Sequence, residues 1–244
     1  MKVWPYPRWI GHRGAGSLAP ENTLAAFELG ARLGWRMFEC DAKLSADDEV
    51  FLLHDATLDR TTNGSGVAGQ LDWHALSALD AGSWHSPQYS GEPLPRLASL
   101  ASWCQQRELM LNIEIKPTPG LERHTGQVVG RESTRLWAGH HPPPLLTSFR
   151  IEALAGARET APDLPRGLLV EAPWHDGLAQ ALELACVAVV GHHALWNEAT
   201  VHQVHHSGMR CLSYTVNDPA LAQHLLALGM DGIITDRLDL FSPH

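Results

Sequence analysis

Phe38-Glu39-Cys40-Asp41-Ala42-Lys43-Leu44, a short polar connection, and Val50-Phe51-Leu52-Leu53-His54-Asp55 form the stretch on which the fold turns. In an extended strand successive side chains point to opposite faces, so Glu39 and Asp41 share one face while Phe38, Cys40 and Ala42 share the other. Two neighbouring carboxylates repel each other, and a fold keeps them together where a cation, a base or a reaction uses them. The turn-prone run Ser45-Ala46-Asp47-Asp48-Glu49 predicts a hairpin. That hairpin would return His54 to the level of Glu39 and Asp41, placing an acid pair and an imidazole in one small volume.

Upstream, Trp9-Ile10-Gly11-His12-Arg13-Gly14 is a short apolar strand running into a polar pair flanked by glycines, which let the chain turn sharply. Pro20-Glu21-Asn22-Thr23 then opens a helical pattern built on Leu24, Phe27 and Leu29 that stops near Gly34, with Asn22 or Thr23 as its cap. Strand, helix and strand make a parallel crossover unit. Downstream, residues 55 to 95 lose the alternation and are rich in turn residues, which predicts an ordered insertion with one or two short helices over the strand ends. After a helix around 97–107, Leu109-Met110-Leu111-Asn112-Ile113-Glu114-Ile115-Lys116 alternates sharply, with Asn112, Glu114 and Lys116 on the polar row. Five more strands are predicted at 145–149, 167–171, 187–192, 211–216 and 232–236. With the strands of Ile10, Glu39 and Glu114 they make eight parallel strands, enough to close a (β/α)8 TIM barrel in a single domain over 1–244 with a small insertion after the second barrel strand.

Composition narrows the partners. A hydrophobic content of 44% suits a globular chain with a full core, and a formal charge of −9 without a basic cluster argues against nucleic acid. No apolar run is long enough for a membrane span, and Met1-Lys2-Val3-Trp4-Pro5-Tyr6-Pro7 lacks the apolar centre of a secretory signal, so a cytoplasmic location is the expectation. Cys40, Cys104, Cys186 and Cys211 are scattered and read as buried free thiols. The pairs His140-His141, His192-His193 and His205-His206 read mainly as surface or loop residues. The sequence leaves the oligomeric state open.

A barrel delivers the carboxyl ends of all its strands to one rim, where His12, Arg13, Glu39, Asp41, His54, Glu114 and Lys116 would meet. Three carboxylates without a thiolate suit a hard cation such as Mg²⁺ or Ca²⁺. Arg13 and Lys116 beside them would hold the oxygens of a phosphate group. Hydrolysis of a phosphodiester removes one proton and supplies another, and His12 and His54 can do both near neutral pH.

The order His12-Arg13-Gly14, Pro20-Glu21-Asn22-Thr23, Glu39-Cys40-Asp41, His54-Asp55, Leu58-Asp59-Arg60-Thr61-Thr62-Asn63-Gly64, Glu114-Ile115-Lys116 and Asp231-Gly232-Ile233-Ile234-Thr235-Asp236 resembles the glycerophosphodiester phosphodiesterase family. The resemblance implies a (β/α)8 barrel with the 55–95 insertion, one divalent cation (Mg²⁺ or Ca²⁺, with Mn²⁺ as a third choice) on Glu39, Asp41 and Glu114, and His12 and His54 as acid and base. It implies phosphate held by Arg13 and Lys116, and hydrolysis of glycerophosphodiesters such as glycerophosphocholine or glycerophosphoethanolamine to sn-glycerol 3-phosphate and an alcohol. Tyr214 stands where the family often has Trp, and Cys40 where an aliphatic residue is common. Phe149, Glu171 and Tyr214 are further candidates for the pocket lining. The competing functions are a lysophospholipase D-like or other phosphodiester-cleaving enzyme on the same barrel, for which Trp73, Trp84 and Tyr89 would form an apolar lip, and a non-catalytic barrel that binds a phosphorylated metabolite.

Overall fold

The computed structural model describes residues 4–171 and 176–243, so the first three residues of the N-terminal run discussed above lie outside the described residues. Strand β1 (Trp9–Gly11) leads through a tight loop into α1 (Leu24–Arg32), and β2 (Met37–Leu44) returns parallel to it, with Gly11 beside Phe38. Of the two expected caps Thr23 is the one used: its hydroxyl accepts a hydrogen bond from Ala26 N. The predicted hairpin forms, with β3 (Val50–Leu52) antiparallel to β2 and Leu53 N donating to Asp41 O at 3.0 Å.

Helix α2 (Trp73–Leu76) is a single turn within the long connection, and α3 (Leu97–Gln105) ends it. Regular alternation follows: β4 (Met110–Ile115), α4 (Glu122–Leu136), β5 (Leu145–Ser148), α5 (Ile151–Thr160), β6 (Arg166–Val170), α6 (Gly177–Glu183), β7 (Ala188–His192), α7 (Glu198–His206), β8 (Arg210–Tyr214), α8 (Pro219–Leu228) and β9 (Gly232–Thr235). The sheet runs β1-β9-β8-β7-β6-β5-β4-β2, and a β1–β2 pairing closes it into a barrel of eight parallel strands with β3 as an outer antiparallel arm. The predicted strand limits are right to within one or two residues.

Alternation decides which side chains reach the barrel axis. Phe38, Cys40, Ala42, Leu111, Ile113 and Ile115 face outward into the layer under the helices, and Met37 and Leu145 pack the interior with Ile10, Val190, Leu212 and Ile234. Glu39, Asp41, Asn112 and Glu114 therefore point inward, above that apolar floor. Cys40 is packing, as expected, and all four cysteines are buried and free. The connection between β3 and α3 has its own core of Phe51, Leu53, Leu58, Ala68, Leu76, Ala81 and Leu94. It docks on the first turn of α1, where Ala25 N donates to Glu92 Oε1 at 3.0 Å. Among the described residues no helix is long and apolar enough to cross a membrane.

Candidate active site

The parallel register sets Glu39 beside Asn112 and Asp41 beside Glu114, so three carboxylates stack over two levels of adjacent strands. One oxygen from each of Glu39, Asp41 and Glu114 lies within 4.8 Å of the others. Burial, and then the neighbouring charges of Asp41 and Glu114, push the Glu39 carboxyl well above its usual range. Burial, followed by Asp41, raises Glu114 to about 7. For Asp41 burial pulls upward but is outweighed by Arg13, His54, Lys116 and a hydrogen bond from Asn22, so its carboxyl is held below the ordinary value. Asp41 Oδ1 and Glu39 Oε1 are buried without a hydrogen-bond partner, and Glu114 Oε1 beside them is ion-paired with Lys116. Orphaned anionic oxygens are costly, and two of them with a third carboxylate alongside fit a hard divalent cation.

The loop after β1 turns on itself to bring two more groups in. Arg13 has a left-handed backbone (φ 51°), and its N–H donates to Glu39 Oε2 at 3.0 Å. A Cβ on Gly16 would stand 2.2 Å from Asp236 O, so glycine is required where this loop crosses the end of β9. That crossing sets His12 against Asp236, with Nδ1 at 2.6 Å from Oδ1, while Nε2 lies 3.8 Å from Glu39 Oε2. His54 is arranged in the same way: Nδ1 is 2.7 Å from Asp55 Oδ1 and Nε2 is 3.1 Å from Lys116 Nζ. Burial, opposed by Asp41 but reinforced by Arg13 and Lys116, lowers the His54 pKa, so the ring is neutral near pH 7.

Both predicted basic residues arrive, each tethered to an acid. Arg13 Nη1 donates to Glu21 Oε1 at 2.9 Å and its Nε lies 3.3 Å from Asp41 Oδ2, and Lys116 Nζ lies 3.2 Å from Glu114 Oε1. His12, Arg13, Glu39, His54, Glu114 and Lys116 line an open cleft of about 1180 Å³ whose outer wall includes Phe149, Glu171 and Tyr214. Asp41 is buried behind them, 1% exposed. The Phe149 and Tyr214 rings meet edge to face at 5.7 Å, and Tyr214 donates from its hydroxyl to Val170 O. Every residue predicted for the site therefore lies in or against one cleft.

Asp55, Asp236, Glu21 and Lys43 had no role in the site predicted from the sequence, and Asn22 was expected only as a helix cap. Asp55, Asp236, Glu21 and Asn22 orient the predicted residues, and Lys43 lines the cleft with its ammonium donating to Lys116 O at 3.3 Å. Asp55 and Asp236 stood in quoted motifs; the signal for Asp55 was its adjacency to His54, whereas Asp236 meets His12 only through the pairing of β9 with β1.

The chain matches the glycerophosphoryl diester phosphodiesterase family over residues 12–240. It belongs to that family. It is accordingly an enzyme, a phosphoric diester hydrolase. YhdW of Bacillus subtilis is 32% identical over 237 residues, 94% of each chain, and a glycerophosphodiester phosphodiesterase of Caldanaerobacter subterraneus is 29% identical over 93% of each. Among solved structures, an Oleispira antarctica phosphodiesterase in complex with the product sn-glycerol-3-phosphate superimposes with a TM-score of 0.85 at 33% identity, covering 94% of this chain and 93% of that one.

Proposed function

We propose that this chain hydrolyses small glycerophosphodiesters, glycerophosphocholine and glycerophosphoethanolamine among them, to sn-glycerol 3-phosphate and an alcohol, with a divalent cation and two histidines. The observation that carries this reading is the matched pair of imidazoles, each held through Nδ1 by its own aspartate, in the cleft that contains the carboxylate cluster. An Oleispira phosphodiesterase with the same fold binds the corresponding product, which supports the substrate class.

Glu39, Asp41 and Glu114 would hold the cation, Mg²⁺ or Ca²⁺ with Mn²⁺ as a third choice, because their converging carboxylate oxygens offer only hard donors. A cation bound there supplies charge neutralisation and polarises a phosphoryl oxygen. Arg13 and Lys116, which line the cleft, would hold the non-bridging oxygens of the substrate phosphate. The lowered pKa of His54 suits it to accept at Nε2 a proton of the water whose oxygen forms the new bond to phosphorus, and His12 gives a proton from Nε2 to the alkoxide whose bond to phosphorus breaks. Aspartates on both Nδ1 atoms hold an Nδ1–H, which leaves Nε2 of His54 free to accept a proton and steadies the imidazolium from which His12 gives one. Phe149, Tyr214 and Glu171 would flank the organic ends of the substrate. Trp73 packs on Phe51 and under Arg96, and Tyr89 packs on the barrel core, so of the three residues of an apolar lip Trp84 alone is exposed, which favours a small polar substrate over lipid. We read residues 1–244 as one barrel unit with 55–95 inserted.

Phosphorus NMR of glycerophosphocholine turnover tests the reading. Glycerol 3-phosphate and choline are expected, and His12→Ala and His54→Ala should each lose about 10²–10⁴ in rate. Release of phosphocholine and glycerol, or full rates in both variants, would contradict it.

A further inference from the structure

Arg60 lies in the inserted segment, about half exposed, and touches none of the residues proposed to bind metal or phosphate. Its guanidinium nevertheless grips two carboxylates at once. Nε and Nη2 donate to Asp55 Oδ2 and Oδ1 at 2.6 and 3.0 Å, while Nη1 and Nη2 donate to Glu21 Oε2 and Oε1 at 2.7 and 2.8 Å. Asp55 in turn holds His54 Nδ1, and Glu21 holds Arg13, whose Nε faces Asp41. One unbroken series of charged contacts thus runs from Asp41 through Arg13, Glu21, Arg60 and Asp55 to His54.

We infer that Arg60 is a positioning residue that sets the orientation of His54 and Arg13 together, tying the inserted segment to the first loop of the barrel. The inference rests on the phosphodiesterase reading above and adds a residue to it. Two features separate positioning from mere packing. An ion pair this exposed contributes little to stability, so conservation of the fold gives Arg60 little work. And both contacts are bidentate, a geometry that a planar guanidinium can satisfy and an ammonium cannot, so what is specified is angle rather than charge alone. Asp55 without this clamp keeps its hydrogen bond to His54 but gains freedom to swing, and the imidazole swings with it. Loss of such an outer contact typically costs about 10–100-fold in activity.

The test compares the parent, Arg60→Ala, Arg60→Gln and Arg60→Lys on glycerophosphocholine with saturating divalent cation, with melting temperatures measured alongside. We expect kcat to fall about 10–100-fold in all three variants, with a smaller rise in KM from the loosened phosphate ligand Arg13. Free guanidinium ion should restore part of kcat to Arg60→Ala and none to His54→Ala. In a cycle with Asp55→Asn the losses should be less than additive, because both changes release the same imidazole. Unchanged kcat, a loss confined to KM, or a loss that follows melting temperature without guanidinium rescue would overturn the inference. Should Arg60→Ala fail to fold, Arg60→Gln is read by the same criteria. A parent with no turnover on any glycerophosphodiester would instead overturn the proposed function.

Discussion

Asp236→Asn removes a charge from the His12 pair while keeping its shape. Burial pushes the Asp236 carboxyl up, but the hydrogen bond and charge of His12, Asn217 and Arg13 outweigh it and hold it below the ordinary value, so a carboxylate faces Nδ1 at neutral pH. The contact is short, 2.6 Å, and its side chain is 33% exposed. A charge-assisted hydrogen bond contributes about 1.5–3 kcal/mol, and this exposure argues for the lower half, about 1.5–2 kcal/mol. At about 1.4 kcal/mol per decade that predicts a loss of about 10–30-fold in kcat. An asparagine that turns its amide toward His12 would stabilise the wrong tautomer and deepen the loss. The measurement is steady-state release of glycerol 3-phosphate at saturating cation, with KM expected to change little because Asp236 lines no part of the cleft. Asp236→Asn with kcat within about twofold of the parent, well inside the predicted loss, would refute the pairing argument.

Glu114 has a folded pKa of about 7, above the ~4.3 of an unfolded chain, so between these values the folded protein keeps a proton that the unfolded chain has released. Stability of cation-free protein should therefore fall as pH rises through that window, and calorimetry in chelator should show a shallower fall for Glu114→Gln; identical slopes would contradict this. The same variant should lose divalent affinity in direct titration, and unchanged affinity would remove Glu114 from the cluster. Gly30→Ala, in the interior of α1, offers about 1 kcal/mol of helix propensity, but its Cβ would sit 2.4 Å from Cε1 of the fully buried Phe38. Overpacking of about 1–3 kcal/mol should win, and thermal melting that shows Gly30→Ala more stable than the parent would mean that Phe38 can shift.

Much of this site was legible because barrel strands obey strict alternation. Glu39 and Asp41, and Asn112 and Glu114, had to share faces whatever the neighbouring strands did, and the hairpin turn returned His54 to their level. The partners of the histidines were less accessible. His12 and Asp236 stand 224 positions apart, and only closure of β9 onto β1 brings them together. The link from Arg60 to Glu21 depends on how an irregular segment docks, where no periodicity guides the reading. Arg13 and Lys116 were placed correctly as basic groups at the rim, yet their acidic tethers follow from side-chain geometry that residue type alone does not encode.

Cation-dependent hydrolysis at the Glu39, Asp41 and Glu114 cluster is best probed by stripping the protein of metal and adding Mg²⁺, Ca²⁺ or Mn²⁺ back singly with glycerophosphocholine and glycerophosphoethanolamine. Release of glycerol 3-phosphate that is absent after stripping and returns with at least one cation is the predicted result. Full release from stripped protein, or none with any cation from protein shown to be folded, would contradict it.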